Sequence, residues 1–462
     1  MNLERFIVAL GPGEVVNGAP AGAASVEISD LAYDTRTVTP GALFFCVRGR
    51  NVDGHAFAAT AATLGAAALV VEHPVEVDVP QLVVGDARAA MPVAATLFFD
   101  DPSAELPVAA ITGTNGKTTS AFLLRSIFEA AGRQTGLLTN IERRVGGEPR
   151  ATGLNTPEAI DLQRLLREMA DGGDQVCVLE ATSQAGAQGR LEGTRFAVLI
   201  FTNLTQDHLD FHGTTEAYYE AKAALFAQAE RAVINVGDEW GRRLAATIPD
   251  AIAFDAATSD ALDGIELPLS GAFNRENAIG AALAAEALGV DRDAVKRGIE
   301  GLPGVPGRFE TIDAGQPFTV IVDYAHTPDS LENVIRTARG LGDGRLTVVF
   351  GAGGDRDRGK RPLMGRVVSE LADRPLLTSD NPRSEPPEQI AAEVAEGALG
   401  HIEIELDRRT AIAQALEEAG PGEIVVIAGR GAEPEQELAT GKVPFDDREV
   451  ARSVLAGMTA RR

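Results

Sequence analysis

Short apolar runs recur along this chain, and many are followed at once by glycine-rich or polar residues and then by a helical stretch. Leu106–Ile111 reads as a buried strand, and Ala121–Ala131 as the helix after it. Further on, strand-like Gln175–Leu179, Val198–Thr202 and Ala232–Asn235 alternate with helical Ile160–Ala170, Thr215–Ala229 and Asn277–Ala287. The pattern then repeats with Phe318–Val322, Leu346–Phe350, Pro375–Thr378 and Ile424–Ala428. Such alternation predicts parallel sheets flanked by helices, an α/β fold. Earlier in the chain, Leu43–Val47 is strand-like and Asp34-Thr35-Arg36 and Pro40-Gly41 mark turns. Asp101-Pro102-Ser103 reads as a linker and Leu302–Gly307 as a Pro/Gly hinge, dividing the chain into 1–103, 104–302 and 303–462.

Composition narrows the class. Of 462 residues, 45% are hydrophobic and 24% charged, as in ordinary globular proteins. No apolar run is long enough to cross a membrane, and Met1–Arg5 lacks the form of a secretion signal. Cys46 and Cys177 sit in separate apolar runs and read as buried thiols. A cytoplasmic protein with no membrane partner is expected. The net charge of −25 repels polyanions, which argues against nucleic acid as a partner. Bound anions would then need local positive charge, and Arg356–Arg361 is the evident source.

Ile111–Ser120 carries the clearest chemistry. Strand, glycine-rich turn, Lys-Thr and helix form a cradle for nucleotide phosphates. Gly113 and Gly116 let backbone N–H groups approach the phosphates, Lys117 reaches the outer ones, and the Thr118 hydroxyl sits on Mg²⁺. The usual loop has a glycine five residues before Gly116, where this chain has Ile111. Glu180 and His208 each follow a strand. Singly they read as turn residues; beside a phosphate loop they read as magnesium ligands or the groups behind them. Lys222 reads as a solvated lysine on an Ala-rich helix. In the last block, Asp323–Thr327, Gly351–Arg361, Asp380–Arg383 and Gly429–Glu433 should line the carboxyl edge of one sheet. There Arg383 is suited to clamp a carboxylate, and Gly429-Arg430-Gly431 to form a backbone nest for another anion.

Taken together, the Gly113–Thr119 loop, Glu180, Asp207–His212, Lys222, Asn274 with Asn277, Gly307-Arg308 and Asp323–Pro328 resemble the Mur ligases over essentially the whole chain. Asp34–Arg36, Asp53-Gly54-His55, Gly353–Met364, Asp380-Asn381-Pro382-Arg383 and Pro444–Arg448 are similar to the members that add the third peptide residue, diaminopimelate. The resemblance implies three α/β domains: 1–103 binding the UDP substrate, a central P-loop parallel-sheet ATPase domain at 104–302, and a Rossmann-like, amino-acid-binding domain at 303–462. It implies ATP and Mg²⁺ as cofactors. Gly113, Thr114, Asn115, Gly116, Lys117, Thr118 and Thr119 would hold the ATP phosphates, with Asn274, Arg308 and Asp323 on the nucleotide. Thr118, Glu180, His208 and a carbamylated Lys222 would hold Mg²⁺, and Lys117, Lys222 and His208 would serve catalysis. Thr35 would contact the uridine end of UDP-N-acetylmuramoyl-L-alanyl-D-glutamate, and Asn155, Thr156, Thr182 and Arg190 its muramyl-peptide part. Arg356, Asp380, Asn381, Arg383, Gly429 and Glu433 would hold the incoming meso-diaminopimelate. The reaction implied is amide ligation through an acyl phosphate, by a monomer acting on small molecules in peptidoglycan synthesis.

Three positions depart from the family pattern. Asn155 replaces a threonine, Gln184 a histidine after the Thr182-Ser183 pair, and Ala432 a histidine before Glu433. The stretch Phe254–Gly271 is also short. These changes fall on acceptor or amino-acid contacts, which keeps open a paralogue with another acceptor or amino acid. A non-catalytic nucleotide-binding regulator is the remaining alternative, against which Lys117, Thr118, Glu180, His208 and Lys222 are all present.

Overall fold

The apolar runs form three sheets and one hairpin in the computed structural model, which describes residues 1–17, 26–49 and 52–460. The first sheet holds β1 (Glu14–Val16), β2 (Asp30–Ala32), β3 (Ala42–Phe45), β4 (Ala68–Val71) and β5 (Gln81–Val83), in the order β1-β5-β4-β3-β2. All its pairs are parallel except β1 with β5. The second sheet holds β6 (Val108–Thr112), β7 (Thr135–Leu138), β8 (Arg143–Val145), β9 (Glu148–Arg150), β10 (Val176–Glu180), β11 (Val198–Phe201), β12 (Ala232–Asn235) and β13 (Ile252–Phe254). Its order is β13-β12-β11-β6-β10-β7-β8-β9.

The third sheet holds β14 (Glu310–Thr311), β15 (Thr319–Asp323), β16 (Leu346–Phe350), β17 (Arg374–Leu377), β18 (Glu403–Ile404) and β19 (Ile424–Ala428), ordered β14-β15-β19-β16-β17-β18. Only β14 runs antiparallel to its neighbour. Side chains alternate across a strand, so a sheet covered on both faces needs apolar residues at every position. Ile321, Val348, Phe350 and Val426 pack with Leu331, Val334 and Ile335 of the helix Pro328–Arg339. Their neighbours in sequence, Val320, Val322, Val349, Val425 and Ile427, pack on the other face with Ile412 and Leu416 of Arg408–Glu417. The hairpin β20 (Glu435–Leu438) and β21 (Gly441–Pro444) follows β19.

Two compact units divide the chain: Met1–Ala110, Arg133–Leu199 and Ala224–Glu230 in one, Ile111–Gly132, Ile200–Ala223 and Arg231–Arg462 in the other. The phosphate loop and the whole third sheet belong to the second unit.

Most elements fall where the apolar pattern puts them, and three differ usefully. The α-helix from Thr215 ends at Ala223 and tightens into a 3-10 turn, Ala224–Gln228, that buries Leu225 and Phe226. The helix expected from Asn277 begins at Ala272, which puts Asn274 and Asn277 one turn apart on one buried face. Glu180 closes β10 as its last strand residue.

Candidate nucleotide and amino-acid site

The phosphate loop joins β6 to the helix Lys117–Ala130, which makes helix N-terminal N–H groups available to an anion. Gly113 (φ +144°) and Gly116 (φ +89°) both adopt backbone conformations that L side chains rarely take. Space forbids a side chain as well. A Cβ on Gly113 would lie 1.9 Å from Thr202 Oγ1, and one on Gly116 2.1 Å from Asn277 Oδ1.

Two lysines converge on one carbonyl. Lys117 Nζ donates to Gly113 O at 2.9 Å and to Thr114 O at 2.7 Å. Lys222 Nζ donates to Gly113 O at 2.7 Å and lies 4.6 Å from the centre of the Tyr218 ring. Lys222 is 1% exposed, against the solvated lysine its helix suggested. Burial, with Lys117 beside it, holds its ammonium well below the usual lysine range. The Tyr218 hydroxyl is 3.1 Å from Thr114 Oγ1, which itself donates to Thr205 O. Asn115 Nδ2 donates to Asp329 Oδ2 at 2.9 Å, and burial raises the Asp329 carboxyl. Arg308 NH2 donates to Thr118 Oγ1 at 3.0 Å while its guanidinium stacks 4.1 Å over Tyr324. Thr119 is buried in the first turn of the helix. Asn274 is buried, donating to Ser270 O.

His208 caps the short helix Leu209–His212 at φ +55°. Burial pushes its imidazole down to about 3, so it is neutral near pH 7, and its buried Nδ1 has no hydrogen-bond partner. Asp207 beside it is buried. Burial alone would raise that carboxyl, but Lys360 at 3.1 Å, with His326 and His208, holds it well below the usual range. Asp323 receives backbone N–H groups on both oxygens, from Phe309 at 2.6 Å and Ala325 at 2.7 Å. Burial nonetheless raises its carboxyl.

The third sheet brings Arg356, Asp380, Asn381, Arg383, Gly429 and Glu433 to its carboxyl edge, as the strand pattern predicts. Two expectations change there. Arg356–Arg361 is not a bare cationic patch. Arg361 is fully buried between Glu385 (2.8 Å) and Glu393 (2.6 Å), Arg358 also pairs with Glu385, and Lys360 pairs with Asp207. Arg356 alone in this run reaches only a carbonyl, that of Asp355. Nor does Gly429–Gly431 form an open nest: the Gly429 N–H is bonded to Asp323 O at 3.0 Å. Arg383 sits at φ +52°, with Nε on Glu437 at 2.8 Å and NH1 on Gly354 O at 2.7 Å, which fixes its plane. Asp380 Oδ1 accepts the Asn381 N–H, and Asp380 Oδ2 is buried without a partner.

In the first unit, Thr156 Oγ1 donates to Glu180 O at 2.7 Å and lies 3.0 Å from Thr182 Oγ1. Arg190 reaches Thr156 O at 3.3 Å and pairs with Glu158 at 3.0 Å, and Arg88 pairs with the same carboxylate. Asn155 precedes Thr156 in the same bend. Thr35 lies apart in hydrogen bonding, in the 3-10 turn capped by Asp34. Glu180 is 1% exposed.

Sequence reasoning named the segments holding Asp207 and Lys360 but not their pairing, and it missed Tyr218, Asp329, Glu437 and the inward turn of Arg430. A polar residue inside an otherwise charged or apolar stretch gives no sign of its partner when that partner lies more than a hundred residues away, as with Asp207 and Lys360.

The fold and the loop define a nucleotide-binding α/β protein with a second polar site on its C-terminal sheet. Family models cover most of it: the Mur ligase family catalytic domain at residues 27–116, the Mur ligase middle domain at 111–261 and the Mur ligase glutamate ligase domain at 307–431. The chain belongs to the Mur ligase family. It is 40% identical to the UDP-N-acetylmuramoyl-L-alanyl-D-glutamate–2,6-diaminopimelate ligase of Bacillus licheniformis, over 94% of this chain and 96% of that one. A solved structure of a ligase with the same name is 33% identical, with TM-score 0.66, covering 99% of each chain. The MurF ligase of Thermotoga maritima, solved with ADP, shares the fold at 19% identity and TM-score 0.62, over 94% of this chain and 97% of that one.

Proposed function

We propose that this chain is an ATP-dependent amide ligase that adds meso-diaminopimelate to UDP-N-acetylmuramoyl-L-alanyl-D-glutamate, a step of peptidoglycan synthesis. Family membership and the 40% identity to ligases of that name support the reading. The observation that carries its chemistry is the pair of lysine Nζ atoms on the Gly113 carbonyl, at a strand-to-helix loop. A buried lysine given only a carbonyl and an aromatic face, as Lys222 is, either loses its charge or gains an anion beside it.

The acceptor's terminal carboxylate attacks the γ-phosphorus of ATP, ADP leaves, and an acyl phosphate forms. The amine of diaminopimelate attacks the acyl carbon, a proton is lost, and phosphate departs. In this chain Lys117 and the Gly113–Thr119 loop, through the N–H groups that begin its helix, neutralise phosphate charge and hold it in line. Asn274, Arg308 and Asp323 contact the nucleotide. Asn155, Thr156, Thr182 and Arg190 orient the peptide, and Thr35 the uridine end. Arg356, Asp380, Asn381, Arg383, Gly429 and Glu433 hold the amino acid.

Magnesium fits the donors present. The neutral His208 has a buried nitrogen without a partner, and the Thr118 hydroxyl begins the helix. Glu180 enters this set from the family resemblance. Bound Mg²⁺ supplies charge neutralisation at phosphate oxygens. Burial disfavours the Lys222 ammonium, and its free amine can attack CO₂ and lose a proton to become a carbamate anion, which suits it to the same metal.

We further propose domains at 1–103, 104–302 and 303–462 for UDP substrate, ATP and amino acid, in a cytoplasmic monomer serving cell shape and division. No helix among the described residues is long and apolar enough to cross a membrane. A second reading is a ligase for a different amino acid. It is favoured by Glu437, which already pairs with Arg383, and by Ala432 beside Glu433. Phosphate release with UDP-muramoyl-dipeptide, ATP and either meso-diaminopimelate or L-lysine separates the two. Turnover with diaminopimelate is expected. Turnover with lysine alone would transfer the assignment to the second reading, and turnover with neither would sink both.

A further inference from the structure

The Arg430 guanidinium is wholly buried beneath the amino-acid site, although it opens a glycine-flanked loop. Its NH1 donates to Asn381 Oδ1 at 2.5 Å, and its NH2 donates to Glu435 O at 2.6 Å and Phe445 O at 3.1 Å. The aromatic ring of Phe445 lies 5.6 Å from the guanidinium carbon. A second donor, the Glu437 N–H, reaches the same Asn381 oxygen at 2.9 Å. An amide side chain has one acceptor end and one donor end. With two donors on Oδ1, the NH2 end must point the other way. It does, donating to Glu433 Oε2 at 3.0 Å, while the Tyr324 hydroxyl donates to Glu433 Oε1 at 3.2 Å. Reversing the Asn381 amide would set its NH2 against Arg430 and leave its oxygen facing the Glu433 carboxylate.

We propose that Arg430 is a positioning residue: it locks the Asn381 amide so that its donor end holds Glu433, and Glu433 is thereby fixed as the anchor for the amino group of the incoming amino acid. The inference rests on the reading that Asn381 and Glu433 hold that substrate. The guanidinium is suited to this task because its planar fork serves two carbonyls and an amide oxygen at once. The second N–H of Asn381 Nδ2 stays available to a substrate carboxylate oxygen. Arg430 itself touches no substrate, and its NH1 lies 3.7 Å from Glu433 Oε2.

The test is a double-mutant cycle on the full chain with all three substrates, reading KM for each. Arg430→Met is expected to raise KM for the amino acid about 10–100-fold, with KM for ATP and for the UDP substrate within about two-fold of wild type. Arg430→Lys should recover most of that loss. The double variant Arg430→Met/Asn381→Ala should be no worse than Asn381→Ala alone, because both act through one amide. Asn381→Asp serves if Arg430→Met does not fold. It keeps an acceptor for Arg430 but presents an oxygen to Glu433, and should raise KM for the amino acid at least as far as Asn381→Ala. Additive losses, an equal rise in KM for ATP, or a wild-type KM in Asn381→Asp would each overturn the proposal. Wild type that turns over another amino acid is put through the same cycle with that one. Wild type that turns over none overturns the underlying reading and this inference together, whereas a failed cycle in active wild type overturns this inference alone.

Discussion

Two buried cationic regions of the second unit treat charge in opposite ways. At the phosphate loop, Lys222 is 1% exposed and has a carbonyl and a tyrosine face as its partners. On the third sheet, Arg361 and Arg408 are both fully buried, and each is met by carboxylates: Glu385 and Glu393 for one, Asp447 at 2.6 Å for the other. Burial is the same, so compensation is what differs. Desolvating a charge is costly unless it is paired. A cation that stays poorly compensated makes sense where a phosphate or a modified side chain completes it. A compensated arginine instead serves as a rigid strut. The difference separates binding from positioning more sharply than residue type does, since both regions read in the sequence simply as basic.

The largest effect should come from the loop. Lys117→Ala is expected to lower kcat about 10²–10³-fold in the phosphate-release assay, the size typical for losing one charge-stabilising donor at a transition state. A loss below ten-fold would mean that this lysine does not face the transferred phosphate, and the contrast between the regions would collapse. Lys222→Ala should cost about 10²-fold, part of it recovered by millimolar acetate or propionate if an anion is what that position supplies. No recovery at any carboxylate concentration would argue for the unmodified ammonium instead.

Arg383 tests the other region. Its Nε is taken by Glu437 and its NH1 by the carbonyls of Gly354 and Asn381, which leaves the two N–H groups of NH2 for a carboxylate. Arg383→Ala should raise KM for the amino acid by about 10–1,000-fold with little change in KM for ATP. An unchanged KM would make Arg383 another strut, held by Glu437 and holding the Gly354 carbonyl.

How much of this was legible beforehand follows from the range of each interaction. The phosphate loop is local: Gly113, Gly116, Lys117 and Thr118 lie within one turn, so sequence spacing alone reveals a cradle. The longer buried strands, such as Val198–Phe201 and Ile424–Ala428, were legible for the same reason, because an apolar run covered on both faces needs no distant partner to be recognised. The pairings were not. Arg361 meets Glu385 and Glu393, and Lys360 meets Asp207, through contacts 24 to 153 residues apart, and nothing in the Arg356–Arg361 run distinguishes a solvated cation from a neutralised one. The same limit hid Lys222, whose helix is Ala-rich and only weakly patterned.

The smallest effect tests the strut directly, through pH. Arg361, together with burial-opposing bonds to Arg358 and the Asp355 N–H, lowers the Glu385 carboxyl from an ordinary 4.5 to about 2. A carboxyl depressed on folding contributes stability that is fully present above its unfolded value and lost as pH falls through the folded one. The window here is therefore pH 4.5 down to about 2. Glu385→Gln leaves Arg361 with Glu393 as its remaining carboxylate and should destabilise the fold by about 2 kcal/mol at pH 7, less than losing the only partner of a buried charge. The difference between wild type and variant, read by urea unfolding at a series of pH values, should shrink steadily across that window. A difference independent of pH would mean that Glu385 acts through packing rather than charge, and Arg361 would then belong with the poorly compensated cations of the loop.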